Sequence, residues 1–354
     1  MKWLLFVFEG SFLIAPRSSA PFLFLRKGCS LIRTVLKKLN LKKVVVDAES
    51  EGFWQHARKN IVMIVKLKMK NIILRSLSSR PKPIKGIFSL LLVLSFVFGC
   101  VAKSGSKLRF QESKLISVPT LSLSGVDDGD FSFVLVGDIH LGGNDTGRLR
   151  AVLEAAQSQG DAFVIFLGDL VDKGKREDMQ TFLNQVAEFG FQNKTLYTIG
   201  NHDVFEDGWS AWKDLMGPSH FDVVIGNTHF MILDSADGMV GEEQSEWLEN
   251  RLKASASTHK IILSHYLPVI PGQRTYLRLA NEEEAISLMK LSSRYRVKAW
   301  LGGHYHSYIQ EEIEKVIYLV AGGGGGRKME PVKYNFYVRG TVSGDELRFE
   351  MHPF

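Results

Sequence analysis

Five short segments of this chain place Asp, Asn or His directly after an apolar run. They are Gly137-Asp138-Ile139-His140, Gly168-Asp169-Leu170-Val171-Asp172, Gly200-Asn201-His202-Asp203, Ser264-His265 and Gly302-Gly303-His304-Tyr305-His306. Mixed carboxylate, imidazole and amide donors suit borderline divalent ions such as Mn, Fe or Zn. The only cysteines are Cys29 and Cys100, which disfavours a soft thiolate site. One Gly-Asp after a strand reads as a turn with a satisfied side chain, whereas five such endings read as one site. His304 and His306 add to this, because alternate residues on an extended chain can both address a nearby metal pair. The glycines ahead of most of these polar residues let the backbone turn sharply and approach a ligand closely.

Elements of regular structure must bring these segments together. Residues 131–136 and 162–167 are short apolar runs of the buried-strand type, and 147–157 carries Leu149, Val152, Leu153 and Ala156 at helical spacing. Further helices are expected at 176–189, 242–256 and 281–293. Strands are expected at 196–199, 221–225, 228–233, 260–264, 298–301 and 316–320, with a strand pair inside 332–350. Strands alternating with helices imply a layered α/β domain, in which ligands sit beyond the carboxyl ends of the strands. The strand-rich C-terminal end suggests a mixed sheet or a two-sheet sandwich flanked by helices.

Taken in order, the five blocks resemble those of the calcineurin-like metallophosphoesterases over about 131–325. The resemblance implies a four-layer α-β-β-α sandwich of two mixed sheets with flanking helices. It also implies metal-dependent hydrolysis of phosphate mono- or diesters by a hydroxide bridging two divalent ions. Residue by residue, it assigns one ion to Asp138, His140, Asp169 and His306, and the second to Asp169, Asn201, His265 and His304, with Asp169 shared. Two ions ~3.5–4 Å apart can clamp both oxygens of an in-line displacement. His202 resembles the family's histidine that is not a ligand and that stabilises the transition state or protonates the leaving oxygen. Asp172 would orient it, and would also serve as a helix N-cap. Residues 219–235 and 242–249 look like the cyclic-nucleotide and glycerophosphodiester phosphodiesterase branch. The Asp-x-His block argues against the purple acid phosphatases. A different class of function on the same fold is a non-catalytic surface lipoprotein acting as a binding module; retention of every ligand speaks for the enzyme.

The chain has 354 residues, 45% hydrophobic and 23% charged, which excludes wholesale disorder and a multi-span membrane protein. The net charge of +6 is unevenly spread. Residues 1–100 hold 18 Lys and Arg against 4 Asp and Glu, and residues 101–354 hold 26 against 34. The domain-forming part is therefore acidic, and no nucleic-acid binding is expected. Residues 87–98 form a run of 12 without charge, IFSLLLVLSFVF, preceded by basic residues from Lys70 to Lys85. This is the length of a signal-peptide core and short for a bilayer span. Gly99-Cys100 after it resembles a bacterial lipoprotein signal, with Phe98 where that signal usually carries a small or β-branched residue.

The expected organisation is a basic extension or misassigned start at 1–68, a lipoprotein-type signal segment at 69–100, a serine-rich tether with one edge strand at 101–130, and the metallophosphoesterase domain at 131–354. Lipid on Cys100 would anchor the domain to a membrane facing the periplasm or cell exterior, the alternative being a cytoplasmic protein. Several other residues read more plainly. Gly322 to Gly326 lack the following Lys-Ser/Thr of a phosphate-binding P-loop and read as a flexible turn near the site. Tyr266 and Tyr305 flank the ligands and read as packing residues, the alternative being stacking on a base or sugar, and His220, His229, His259 and His352 read as surface or core histidines.

Overall fold

The computed structural model describes residues 2–8, 11–16, 23–25, 45–47, 105–123, 126, 129–142, 147–272 and 277–354. The signal-like segment at 69–100 lies outside these residues. The chain divides into an N-terminal unit, Met1–Ser95, and a larger unit, Phe96–Phe354. Within the first, β1 (Lys2–Phe8), β2 (Ser11–Pro16), β3 (Leu23–Leu25) and β4 (Val45–Asp47) form an antiparallel sheet in the order β3-β2-β1-β4.

The second unit opens with α1 (Gly105–Ser113). Its five-stranded sheet comprises β5 (Asp130–Val136), β6 (Phe163–Leu167), β7 (Thr195–Thr198), β14 (Phe336–Ser343) and β15 (Glu346–Pro353), in the order β15-β14-β5-β6-β7. Its six-stranded sheet comprises β8 (Phe221–Ile225), β9 (Thr228–Ile232), β10 (His259–Leu263), β11 (Ala299–Gly302), β12 (Tyr308–Ile313) and β13 (Val316–Ala321), in the order β12-β13-β11-β10-β9-β8. Both sheets are mixed. β5, β6 and β7 run parallel, as do β9, β10, β11 and β13, while the outer strands β14, β15, β8 and β12 pair antiparallel.

Strand composition explains this arrangement. Every residue of β6, FVIFL, is buried, as expected of a central parallel strand covered on both faces. Alternate residues face two cores. Phe133, Leu135, Phe163, Ile165 and Leu167 meet Phe230, Ile232, Ile261, Leu263 and Leu301 between the sheets. Val134, Val136, Val164 and Phe166 point outward, against α2 (Arg148–Ser158), α3 (Arg176–Glu188) and α4 (Gly208–Leu215). On the far side, Met231, Ile262, Trp300 and Tyr318 pack against α5 (Glu242–Ala254) and α6 (Glu282–Arg294). The layers are α-β-β-α, as the resemblance implied. The acidic start of α6 follows Asn281, whose side-chain oxygen accepts the N–H groups of Glu283 and Glu284.

One expectation is corrected here. The stretch read as a serine-rich tether contains α1, and its described residues form no edge strand. Ser106, Arg109, Phe110 and Ser113 repeat at helical spacing and are buried. Because three of those four are polar, hydrophobic periodicity passes over them. What buries them is polar pairing, above all Arg109 with Asp234 and Asp237.

Candidate metal centre

The five polar segments all follow the carboxyl ends of parallel strands: β5, β6 and β7 in one sheet, β10 and β11 in the other. Asp138, His140, Asp169 and His304 have φ of 63°, 50°, 51° and 64°. Non-glycine residues enter this left-handed region at a cost, and a group of them in one place marks a backbone bent to aim its side chains. The buried carboxylates are held by backbone donors. Asp138 accepts the His304 N–H through both oxygens at 3.0 and 3.1 Å, and Asp169 Oδ1 accepts the His202 N–H at 2.8 Å.

Around these carboxylates the donors converge in two sets that share Asp169. Asp138, His140, Asp169 and His306 each bring a donor atom within 4.8 Å of the others, and so do Asp169, His265 and His304. His306 Nε2 stands 3.3 Å from Asp138 Oδ1 and 3.3 Å from His140 Nε2. His265 Nε2 lies 3.3 Å from Asp169 Oδ2 and 3.1 Å from Asn201 Oδ1. The seven residues singled out as ligands are therefore brought to one place, in two groups joined at Asp169 with Asn201 beside His265, and the donor set of oxygens and imidazole nitrogens fits a pair of divalent ions.

The imidazoles are set by their other nitrogen. His265 Nδ1 contacts the Leu167 carbonyl at 2.8 Å, and His306 Nδ1 the Arg327 carbonyl at 3.1 Å. A carbonyl only accepts, so each Nδ1 carries the proton and Nε2 is turned towards the carboxylates. Burial disfavours a charged His265, but Asp169 outweighs it and raises the group to about 9. Burial likewise opposes the Asp169 charge, yet the neighbouring histidines, His265 first, hold it well below the usual carboxylate range. For His304, burial, with His265 adding, outweighs Asp169 and Asp138 and pushes the group down to about 3.

His202 and Asp172 meet differently from expectation. The His202 Nδ1–H donates to the Asp172 backbone carbonyl at 2.7 Å, while the Asp172 carboxylate lies 3.8 Å from both His202 and His140. Orientation of His202 thus comes from the Asp172 main chain. The His202 ring meets His140 edge-on at 4.5 Å.

Sequence reasoning gave Asp203 no part. It is fully buried and accepts the N–H of Gly200 at 2.8 Å and of Val171 at 3.1 Å, tying the β7 loop to the β6 loop. Burial, with Asp169 nearby, raises its carboxyl to about 7. The glycine run after β13 is also firmer than the flexible turn expected. Gly322 to Gly325 are buried, a Cβ at Gly322 would come 2.8 Å from Asp138 Oδ2, and one at Gly326 would overlap the His306 ring. Lys328 Nζ donates to the Gly323 and Gly325 carbonyls at 2.7 Å each and clamps the run in place.

The family model for calcineurin-like phosphoesterase matches residues 131–308. The chain is 30% identical over 178 residues to the 3',5'-cyclic adenosine monophosphate phosphodiesterase CpdA of Escherichia coli K12, a match covering 47% of this chain and 62% of that protein, less than two thirds of its length. It is 28% identical over 216 residues to a protein of Fibrobacter succinogenes described as a probable cyclic nucleotide phosphodiesterase, covering 59% of this chain and 80% of the relative. Among solved structures, the purple acid phosphatase PPD1 from yellow lupin seeds shares the fold, with a TM-score of 0.55 at 16% identity over 65% of this chain and 52% of that one. The chain belongs to the calcineurin-like phosphoesterase family.

Proposed function

We propose that the protein is a metal-dependent phosphodiesterase acting on a small-molecule phosphate diester of the cyclic-nucleotide class. The observation that carries the reading is the pair of donor sets joined at Asp169. Asp138, His140, Asp169 and His306 would hold one ion, and Asp169, Asn201, His265 and His304 the other. When bound, two divalent ions supply Lewis-acid stabilisation of a phosphoryl oxygen and lower the pKa of water towards ~7. The protein's own residues do the rest. The buried carboxylates offset cationic charge, and the carbonyls of Leu167 and Arg327 keep the imidazoles of His265 and His306 correctly turned. His202, half-buried beside His140, has Nδ1 engaged by Asp172, so Nε2 is the atom free to hold or pass a proton to a leaving oxygen. The similarity to two cyclic-nucleotide phosphodiesterases supports the substrate class. Hydrolysis of a chromogenic phosphodiester and of cyclic AMP, with and without added Mn²⁺ and alongside metal analysis, tests it. Absence of turnover with two ions bound would overturn it.

We propose further, and independently of the metal chemistry, that the enzyme lies outside the cytoplasm, held by lipid on Cys100. What supports this is the basic segment, apolar run and Gly99-Cys100 order at 69–100. Two or more acyl chains anchor firmly where one does not. Native protein should partition into detergent, and Cys100→Ser should abolish that partition. Aqueous partition of the native protein would remove the anchor and leave the metal chemistry untouched.

A further inference from the structure

We infer that Tyr266 is the positioning residue for one ion of the pair, acting through two of its donors, Asn201 and His304. The inference rests on the dinuclear reading above and goes beyond it by naming a residue that is not itself a ligand. The Tyr266 O–H donates to Asn201 Oδ1 at 3.2 Å, and its ring stacks on His304 with centroids 3.7 Å apart and planes 28° from parallel. Both contacts fall on the set that includes His265.

The chemistry of each contact favours a metal-ready arrangement. A carboxamide offers an oxygen that can ligate and a nitrogen that cannot, so which of the two faces the site matters. With one Asn201 Oδ1 lone pair taking the phenol hydrogen, the other remains towards His265 Nε2, 3.1 Å away. Stacking over His304 fixes the plane of that imidazole and so the direction in which its ring nitrogens point. Tyr266 is itself held at both ends. Its N–H donates to Ser235 Oγ at 2.8 Å, and its carbonyl accepts from Ser264 Oγ at 2.8 Å. The Ser264 hydroxyl is fixed in turn by the Trp300 Nε1–H at 2.7 Å. A phenol anchored this way can hold a ligand in place with little ordering cost on metal binding.

The test is Mn²⁺ titration of the full-length chain in detergent, stripped of metal and followed by calorimetry. Tyr266→Phe keeps the ring and loses only the hydroxyl. One ion should bind about 10-fold more weakly, the low end for loss of a ligand-orienting contact, with the other within twofold of wild type and the melting temperature unchanged. In an Asn201→Ala background the same substitution should add no further loss, because its target is gone. Two ions bound with wild-type affinities in Tyr266→Phe, equal weakening of both, or a full additional loss in the Asn201→Ala background would each overturn the role. A wild-type chain that binds fewer than two ions would instead overturn the dinuclear reading, and this inference with it.

Discussion

Arg109 and Asp234 close a two-point ion pair inside the domain although 125 residues separate them, with Nε donating to Oδ2 at 2.7 Å and Nη2 to Oδ1 at 3.0 Å. Asp237 adds a third contact at 3.1 Å. Burial opposes the guanidinium charge, but the two carboxylates, Asp234 first, more than restore it. The pair fastens α1 to the loop after β9. The next residue in that loop, Ser235, receives the Tyr266 N–H, so α1 and the Asn201 side of the candidate metal centre rest on one short segment.

Arg109→Met would leave Asp234 buried without its partner. Removing one member of a buried ion pair typically costs about 3–5 kcal/mol. Urea denaturation should show a loss of that size, whereas Leu108→Ala, at a position 41% exposed, should change stability little. Equal stability of Arg109→Met and wild type would mean that α1 is held by its apolar contacts alone.

The bridging role proposed for Asp169 and the non-ligand role proposed for His202 separate by metal content. Asp169→Asn should lower bound metal and nearly abolish turnover, since both donor sets use that carboxylate. His202→Ala should keep two ions and lose rate by about 10²–10⁴-fold, the usual worth of a general acid. Metal analysis by mass spectrometry beside the rate reads both. Loss of metal in His202→Ala would contradict its assigned part.

Most elements whose burial is apolar were legible in the sequence, although α4, buried through Ala211 and Trp212, was not, and elements whose burial is polar were missed. β6 announces itself through FVIFL and α2 through Leu149, Val152, Leu153 and Ala156, and both appear within a residue or so of expectation. α1 hides because its inner stripe is Ser106, Arg109, Phe110 and Ser113. β12 hides because Gln310, Glu311 and Glu312 face solvent at a sheet edge. The same division runs through the site. Side-chain donors could be read from their types and order. The Asp172 contact to His202 could not, because it is made by a carbonyl that every residue carries. Asp203 was visible as a residue but not as a tie between two loops, which needs the loops to be adjacent.

His220 gives a pH dependence with a defined sign. It is 6% exposed, packed 4.2 Å from the Phe110 ring of α1, and its Nδ1 makes no hydrogen bond among the described residues. Burial first, with Lys114 adding, lowers it to about 4. Between an unfolded value of about 6.5 and that folded value, the unfolded chain binds the proton and the folded chain does not. Stability is therefore full above pH 6.5 and falls as pH drops towards 4, by up to about 3 kcal/mol from this group. His220→Phe should lose less stability than wild type between pH 7 and pH 5 in thermal melts. Identical pH slopes for the two would assign the acid sensitivity elsewhere.

Two glycines in the same backbone conformation should respond differently to alanine. Gly326 has φ of +65° and Gly344 has φ of +57°, a region in which a side chain is strained by roughly 1–2 kcal/mol. A Cβ at Gly344, in the turn between β14 and β15, would meet nothing within 4 Å, so Gly344→Ala should carry the strain alone. A Cβ at Gly326 would overlap the His306 ring, whose Nδ1 is held by the Arg327 carbonyl one residue on. The imidazole must move, and with it a donor within 3.3 Å of both Asp138 and His140. Gly344→Ala should then lose stability of that order with metal affinity and rate unchanged. Gly326→Ala should lose a similar amount of stability and, in addition, bind the ion shared with Asp138 at least 10-fold more weakly. Paired melting and Mn²⁺ titration of the two variants distinguish strain from displacement. If Gly326→Ala binds both ions as tightly as Gly344→Ala does, the glycine run does not set the position of His306.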